Sequence, residues 1–172
     1  MLATNDIRRL FHLLNTELGK AGVHGELFVV GGAVMCLAYE ARLATRDIDA
    51  FFRPARQVRE AAARVALHAG IDANWLNDAV KGFMGDRGEF ERFLELDHLR
   101  VMLAQPGYLL AMKCLAMRIG EEFHDEDDIR YLLRHLDIKT HEAALQVITL
   151  YYPLEQFPQK TLYALEELLR GR

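Results

Sequence analysis

The chain has 172 residues, 51% hydrophobic and 27% charged, the balance of a folded globular protein with length for one full core or two small lobes. Its 21 Lys and Arg against 25 Asp and Glu give a formal charge of -4, which argues against a broad, sequence-independent grip on nucleic acid while leaving room for a local basic patch. Cys36 and Cys114 stand in apolar helical patterns without Cys-x-x-Cys spacing, no apolar run reaches membrane-spanning length, and Met1 to Asp6 lacks the basic start and apolar stretch of a signal peptide. These features predict reduced thiols, no membrane contact and a cytoplasmic location.

In chain order, Thr4 or Asn5 is placed to cap a first helix with Ile7, Leu10, Phe11, Leu14 and Leu18 at helical spacing, ending near Gly19 and Gly22. Glu26 to Val30 reads as a short buried strand, Gly31-Gly32 as a turn, Ala33 to Ala41 as a helix, and Arg46 to Phe52 as a second strand. Alternation along that strand puts Asp47 and Asp49 on one face, and two adjacent carboxylates are most easily tolerated around a cation such as Mg²⁺ or Mn²⁺. Pro54 closes the strand, and Ala55 to Ala69 is a helix pattern stopped by Gly70. On that stretch Arg53, Arg56 and Arg59 recur every third residue, either a solvated face or a basic stripe for a polyanion such as RNA.

The segment from Ile71 to Phe83 is ambiguous, Gly85-Asp86-Arg87-Gly88 is a loop, and Phe93–Leu96 with Leu99–Leu103 forms a hairpin pattern. Pro106-Gly107 breaks it. Beyond that point the chain reads as helical, over Tyr108–Ile119, Asp127–Leu136, Thr140–Tyr151 and Thr161–Leu169, with an acidic turn from Gly120 to Glu126. The expected organisation is an α/β core over residues 1-105 and a helical C-terminal part over 106-172, joined without a flexible linker.

A strand, a Gly-Gly turn and a helix present backbone N–H groups suited to phosphate oxygens, a weak signal by itself because the Gly-x-Gly-x-x-Gly and P-loop patterns are both absent. Combined with Asp47-x-Asp49 it reads as a phosphate cradle facing a metal site. The block Val30-Gly31-Gly32 with Arg42-x-x-Thr45-x-Asp47-Ile48-Asp49 resembles the nucleotidyltransferase superfamily of the DNA polymerase beta type, in particular small bacterial members near the AbiEii and MenT toxin nucleotidyltransferases. A second block, Lys113-Cys114-Leu115-Ala116 followed by Asp125-Glu126-Asp127-Asp128-Ile129, resembles that branch's Lys-x-x-Ala helix and Asp-x-x-Asp motif.

The resemblance implies an α+β architecture, with a small mixed β-sheet of the nucleotidyltransferase fold, flanking helices and a helical C-terminal part that completes a nucleotide cleft. It implies Asp47 and Asp49 as catalytic ligands of Mg²⁺ or Mn²⁺, and Gly31, Gly32, Thr45, Lys113, Asp125 and Asp128 as nucleotide contacts. The implied partners are an NTP, an RNA or protein acceptor and a cognate antitoxin. Read by chemistry alone, Lys113 among apolar neighbours either snorkels to water or meets an anion, and Asp125 and Asp128 can equally form the acidic first turn of a helix. The family's third carboxylate has one candidate of the right apolar-acid-apolar form, Glu95, which an exposed strand edge would also explain. Without a third acid, the expected alternative is a non-catalytic nucleotide-binding or antitoxin-like partner protein. The seven histidines show no metal spacing, no serine exists, and neither cysteine stands in an electropositive setting, which sets aside hydrolase triads and thiol catalysis.

Overall fold

A computed structural model describes residues 1–117 and 124–170, and its chain divides into two compact units, Met1–Met84 with Phe90–Ala104, and Gly85–Glu89 with Gln105–Arg172. The architecture is mixed α/β, with a five-stranded mixed sheet, a small two-stranded sheet and seven described α-helices.

The first unit opens with β1 (Leu2–Ala3) and α1 (Thr4–Lys20). The N-cap position falls to Ala3 rather than Thr4 or Asn5: the Asp6 carboxylate accepts from the Ala3 N–H at 2.9 Å, and the Thr4 hydroxyl instead donates to the Cys36 carbonyl at 3.1 Å. Then come β2 (Gly25–Val30), α2 (Gly31–Leu37), β3 (Ala44–Thr45), β4 (Ile48–Arg53), α3 (Ala55–Ala69), β5 (Leu76–Asn77), β6 (Phe90–Glu95) and β7 (Leu99–Ala104). Two of the boundaries that differ from the periodicity lie beside the aspartates. Gly31 adopts φ +68°, open to glycine, so the chain turns from β2 directly into α2 and both glycines become its first residues. Strand β4 begins at Ile48 because its partner β2 ends at Val30, opposite Asp49, so Asp47 lies in a bend just before the strand.

The sheet order is β5-β4-β2-β7-β6, with β2 antiparallel to β4 and parallel to β7, and β6–β7 an antiparallel hairpin bearing a bulge between Arg92 and Leu94. Helices α1 and α3 cover one face: a Cβ at Gly25 would lie 2.8 Å from Leu18 and 3.2 Å from Val58. Leu27, Val29, Ile48, Ala50, Val101 and Leu103 share that side and are buried. Burying the five branched side chains of this set against two amphipathic helices is favourable by roughly 1.5–3 kcal/mol each. On the opposite face Phe28, Phe51, Phe90 and Met102 are only half-buried.

In the second unit, α4 (Pro106–Leu115) packs with α5 (Asp125–His135), α6 (His141–Ile148) and α7 (Gln159–Arg170). Pro106 follows the end of the hairpin at Ala104 and also starts α4, because a helix's first residue needs no N–H partner. Tyr108, Tyr151 and Tyr152 form a ring cluster, with the Gly85 N–H donating to the Tyr108 hydroxyl at 3.3 Å. A Cβ at Gly88 would come within 2.6 Å of the Tyr108 ring, so the loop's backbone lies directly on the cluster. Burial, then the hydrogen bond and charge of Tyr108, raise the Tyr152 phenol well above its ordinary pKa. The acidic turn from Gly120 lies outside the described residues up to Phe123, and among those described no helix is long and apolar enough to cross a membrane.

Candidate functional site

Strand β2 ends in the Gly31-Gly32 turn, and β4 brings Asp49 beside it by pairing Val30 with Asp49. A Cβ on Gly31 would lie 3.1 Å from Asp49 Oδ2, and one on Gly32 would lie 2.6 Å from Arg42 Nη1 and 2.8 Å from Thr45 Oγ1. Any side chain on this turn would therefore be driven into a carboxylate, a guanidinium or a hydroxyl. The glycines are required by close approach, and at Gly31 by its backbone angle as well.

Thr45 is buried, held by pairing with Leu2 in the two-stranded sheet, and its hydroxyl donates to the Asp47 carbonyl at 3.2 Å. That hydroxyl thus joins the glycine turn to the backbone of Asp47. Asp47 and Asp49 are both half-buried, within reach of solvent or a ligand while partly screened from it. Gly31, Gly32, Arg42, Thr45 and Asp49 therefore converge at one end of β2 and β4, with the Asp47 backbone tied in. Arg42, quoted above only within the block it shares with Thr45, Asp47 and Asp49, is returned to the glycines by the turn of the chain after α2.

Asp49's other sheet neighbour is Asn77, paired with it in parallel register on β5 and so on the same face. Sequence reasoning missed Asn77 because a two-residue strand has no periodicity to detect. Its Oδ1 accepts from the Ala79 N–H at 3.2 Å, and the adjacent Asp78 binds Arg59 at 2.7 Å.

The structure does not bring Glu95 to this group. It shares the sheet face of Asp49, but its row runs Arg53, Glu26, Arg100, Glu95, at the far end of the strands. Four residues along and three strands across amounts to on the order of 20 Å, too far for a shared metal ion. Its carboxylate instead binds Arg100 at 2.7 Å, and that hydrogen bond holds its pKa below the usual value.

In the second unit, Lys113 and Asp128 are both buried and form an ion pair at 2.5 Å, with Asp125 buried on the same helix as Asp128. The lysine thus has an internal anion, and does not snorkel. Burial pushes the neighbouring Cys114 thiol up to about 12, which removes it as a nucleophile at neutral pH.

The glycine turn meets the Asp49 carboxylate and the Thr45 hydroxyl, both oxygen donors, and Asn77 stands beside Asp49 in the sheet. That set suits a hard cation such as Mg²⁺, which keeps several waters and needs only one or two protein carboxylates. No group of three His, Cys, Asp or Glu is placed to hold a metal ion among the described residues. Comparisons with protein-family models, curated proteins and solved structures returned no match.

Proposed function

We propose that the chain is a metal-dependent nucleotidyltransferase that moves a nucleoside monophosphate from an NTP to a hydroxyl acceptor. The observation that supports this reading is the approach of the Asp49 carboxylate to the Gly31-Gly32 backbone, with the Arg42 guanidinium and the Thr45 hydroxyl on its other side. A glycine turn admits a phosphate close to the main chain, a guanidinium neutralises it, and paired carboxylates hold the divalent ion that a polyphosphate carries. Mg²⁺ bound there would supply Lewis-acid charge neutralisation and ease loss of the acceptor's proton. The acceptor oxygen attacks the α-phosphorus, the bond to the bridging oxygen breaks, and pyrophosphate leaves with the electron pair. The residues of the first unit hold the triphosphate in line, and such transfer depends chiefly on positioning and electrostatics.

A second reading is favoured by Asn77. Asp49's sheet neighbour is a neutral amide, which leaves two carboxylates where a third would strengthen metal binding. On that reading the protein binds nucleotide without efficient transfer. Incubation with each α-labelled NTP, Mg²⁺ and total RNA, with Asp49→Asn alongside, decides between them. Label transfer lost in Asp49→Asn supports the transferase. A melting shift with Mg²⁺ and NTP but no transfer supports the binding protein, and neither response rejects both.

A further inference from the structure

The half-buried face of the five-stranded sheet ends, away from Asp49, in a row of four charged residues whose signs alternate. Sheet register sets Arg53 of β4, Glu26 of β2, Arg100 of β7 and Glu95 of β6 side by side on that face. Ion pairs join them in turn: Arg53 to Glu26 at 2.9 Å, Glu26 to Arg100 at 3.7 Å, and Arg100 to Glu95 at 2.7 Å. Two arginines and two glutamates cancel, so the row is neutral, yet its side chains remain 59%, 22%, 38% and 39% exposed in that order. The Arg53 guanidinium lies over the Phe28 ring at 5.0 Å, which holds it down on the face. Two residues nearer Asp49 along each strand, a second row runs Phe51, Phe28, Met102 and Arg92, with the two phenyl rings 5.9 Å apart.

We infer that a second copy of the chain docks on this face, sheet against sheet, about a two-fold axis parallel to the strands. A two-fold interface joins the same patch on both copies, so that patch must be complementary to itself. Rotation about such an axis reverses the strand order and leaves each row opposite its own image. A row reading plus, minus, plus, minus then meets minus, plus, minus, plus: Arg53 faces Glu95 of the second copy, Glu26 faces its Arg100, and each relation occurs twice. In the other row Phe51 faces Arg92 and Phe28 faces Met102, pairings that aromatic rings favour. A two-fold axis across the strands would instead lay the charged row on the apolar one. Packed sheets lie about 10 Å apart and within about 30° of alignment, a gap that Arg and Glu side chains span. A neutral row offers a polyanion no net attraction, whereas its own image supplies an opposite charge at every position. Because each charge already has a lateral partner, the contacts across the interface chiefly select the partner and its register, and the apolar row supplies the affinity. Four strands about 4.8 Å apart and two rows about 6.6 Å apart make a small patch, so the dimer is weak and reversible, with a Kd on the order of 10 µM. None of this depends on the transferase reading.

The test is sedimentation velocity of the full chain from about 1 to 500 µM, where a monomer–dimer equilibrium is expected. Arg53→Glu sets two acids against each other at both ends of the row, and Glu95→Arg sets two bases against each other. Each should weaken self-association at least about tenfold. Mixed in equal amounts, the two variants regain opposite charges at both ends, and their heterodimer should return to within about threefold of the wild-type affinity. Arg56→Glu, the same charge change on α3, should leave the dimer unchanged. A monomer at every concentration, a swapped variant that dimerises like wild type, an equal loss in Arg56→Glu, or a mixture no tighter than its components overturns the proposal. Should either swap lower the melting temperature, crosslinking of mixed Arg53→Cys and Glu95→Cys chains with a bismaleimide about 10 Å long decides. Products joining position 53 of one chain to position 95 of the other uphold the arrangement, and their absence, or equal yields between like positions, overturns it.

Discussion

Gly31 and Gly70 hold nearly the same backbone angle, +68° and +66°, but a Cβ on the first would lie 3.1 Å from Asp49 while one on the second would meet nothing within 4 Å. Alanine at either position pays the left-handed penalty, about 1–2 kcal/mol. Only at Gly31 should it also displace the Asp49 carboxylate. We predict that both variants lower the melting temperature, and that Gly31→Ala alone abolishes the melting shift produced by Mg²⁺ and NTP. A preserved shift in Gly31→Ala would separate the glycine turn from the nucleotide site.

Glu17 allows a prediction of pH dependence. Its carboxylate is buried, accepts from Lys20 at 3.0 Å and Arg64 at 3.0 Å, and lies 3.5 Å from His68. The Lys20 hydrogen bond is the largest cause of a pKa below the ordinary 4.5, with burial opposing it. A carboxyl depressed in the native state stabilises it fully above the unfolded value, and that contribution disappears as pH falls through the native one. Denaturant unfolding of wild type and Glu17→Gln should therefore show a constant difference at neutral pH that narrows below about pH 4.5. A difference that widens in acid would contradict the assignment.

Between α4 and α5, Lys113 and Asp128 form a buried ion pair. Removing one partner of a buried pair costs more than replacing both by apolar residues, which often does no harm. Lys113→Met should destabilise by about 3–5 kcal/mol, and Lys113→Met with Asp128→Leu should recover most of it. Urea midpoints of the two variants check this, and additive losses would refute it.

Legibility at the scale of elements followed length. Helix α1 and helix α3 repeat their apolar positions over several turns, Gly70 stops the second, and the β6–β7 hairpin alternates, so all three could be read from patterning. Strand β5 could not, because two residues carry no period and Leu76 and Asn77 are strands only through pairing with Ile48 and Asp49. The same holds for the start of β4: Asp47 has the strand's alternation but lies before the ladder, since β2 stops at Val30. The arginine stripe dissolves for a similar reason. Arg53 belongs to the sheet, while Arg56 and Arg59 are each matched to a carboxylate, Glu60 and Asp78.

Across the molecule, the local part of the candidate site, Gly31-Gly32 with Thr45, Asp47 and Asp49, could be picked out in the sequence because its members lie within nineteen residues of one another. Whatever depends on strand order was not. Glu95 and Asn77 are both polar residues in short strands, and only the order β5-β4-β2-β7-β6 puts Asn77 beside Asp49 and Glu95 three strands away.

The loop from Gly85 to Glu89 belongs with the helical unit although the chain on both sides of it belongs to the sheet. Synthesis therefore delivers it early and must wait for Tyr108, then for Tyr151 and Tyr152, before the ring cluster that it rests on exists. Until then the nascent chain carries Arg87 on an untethered segment, a ready target for a protease specific for basic residues. In the finished protein the Gly85–Tyr108 hydrogen bond shortens that exposure. Tyr108→Phe should accordingly be cut by trypsin after Arg87 several-fold faster than wild type, by mass action on the opened loop, with other sites unaffected. Quality control during synthesis would then depend on how quickly a tyrosine twenty-one residues downstream of Arg87 emerges.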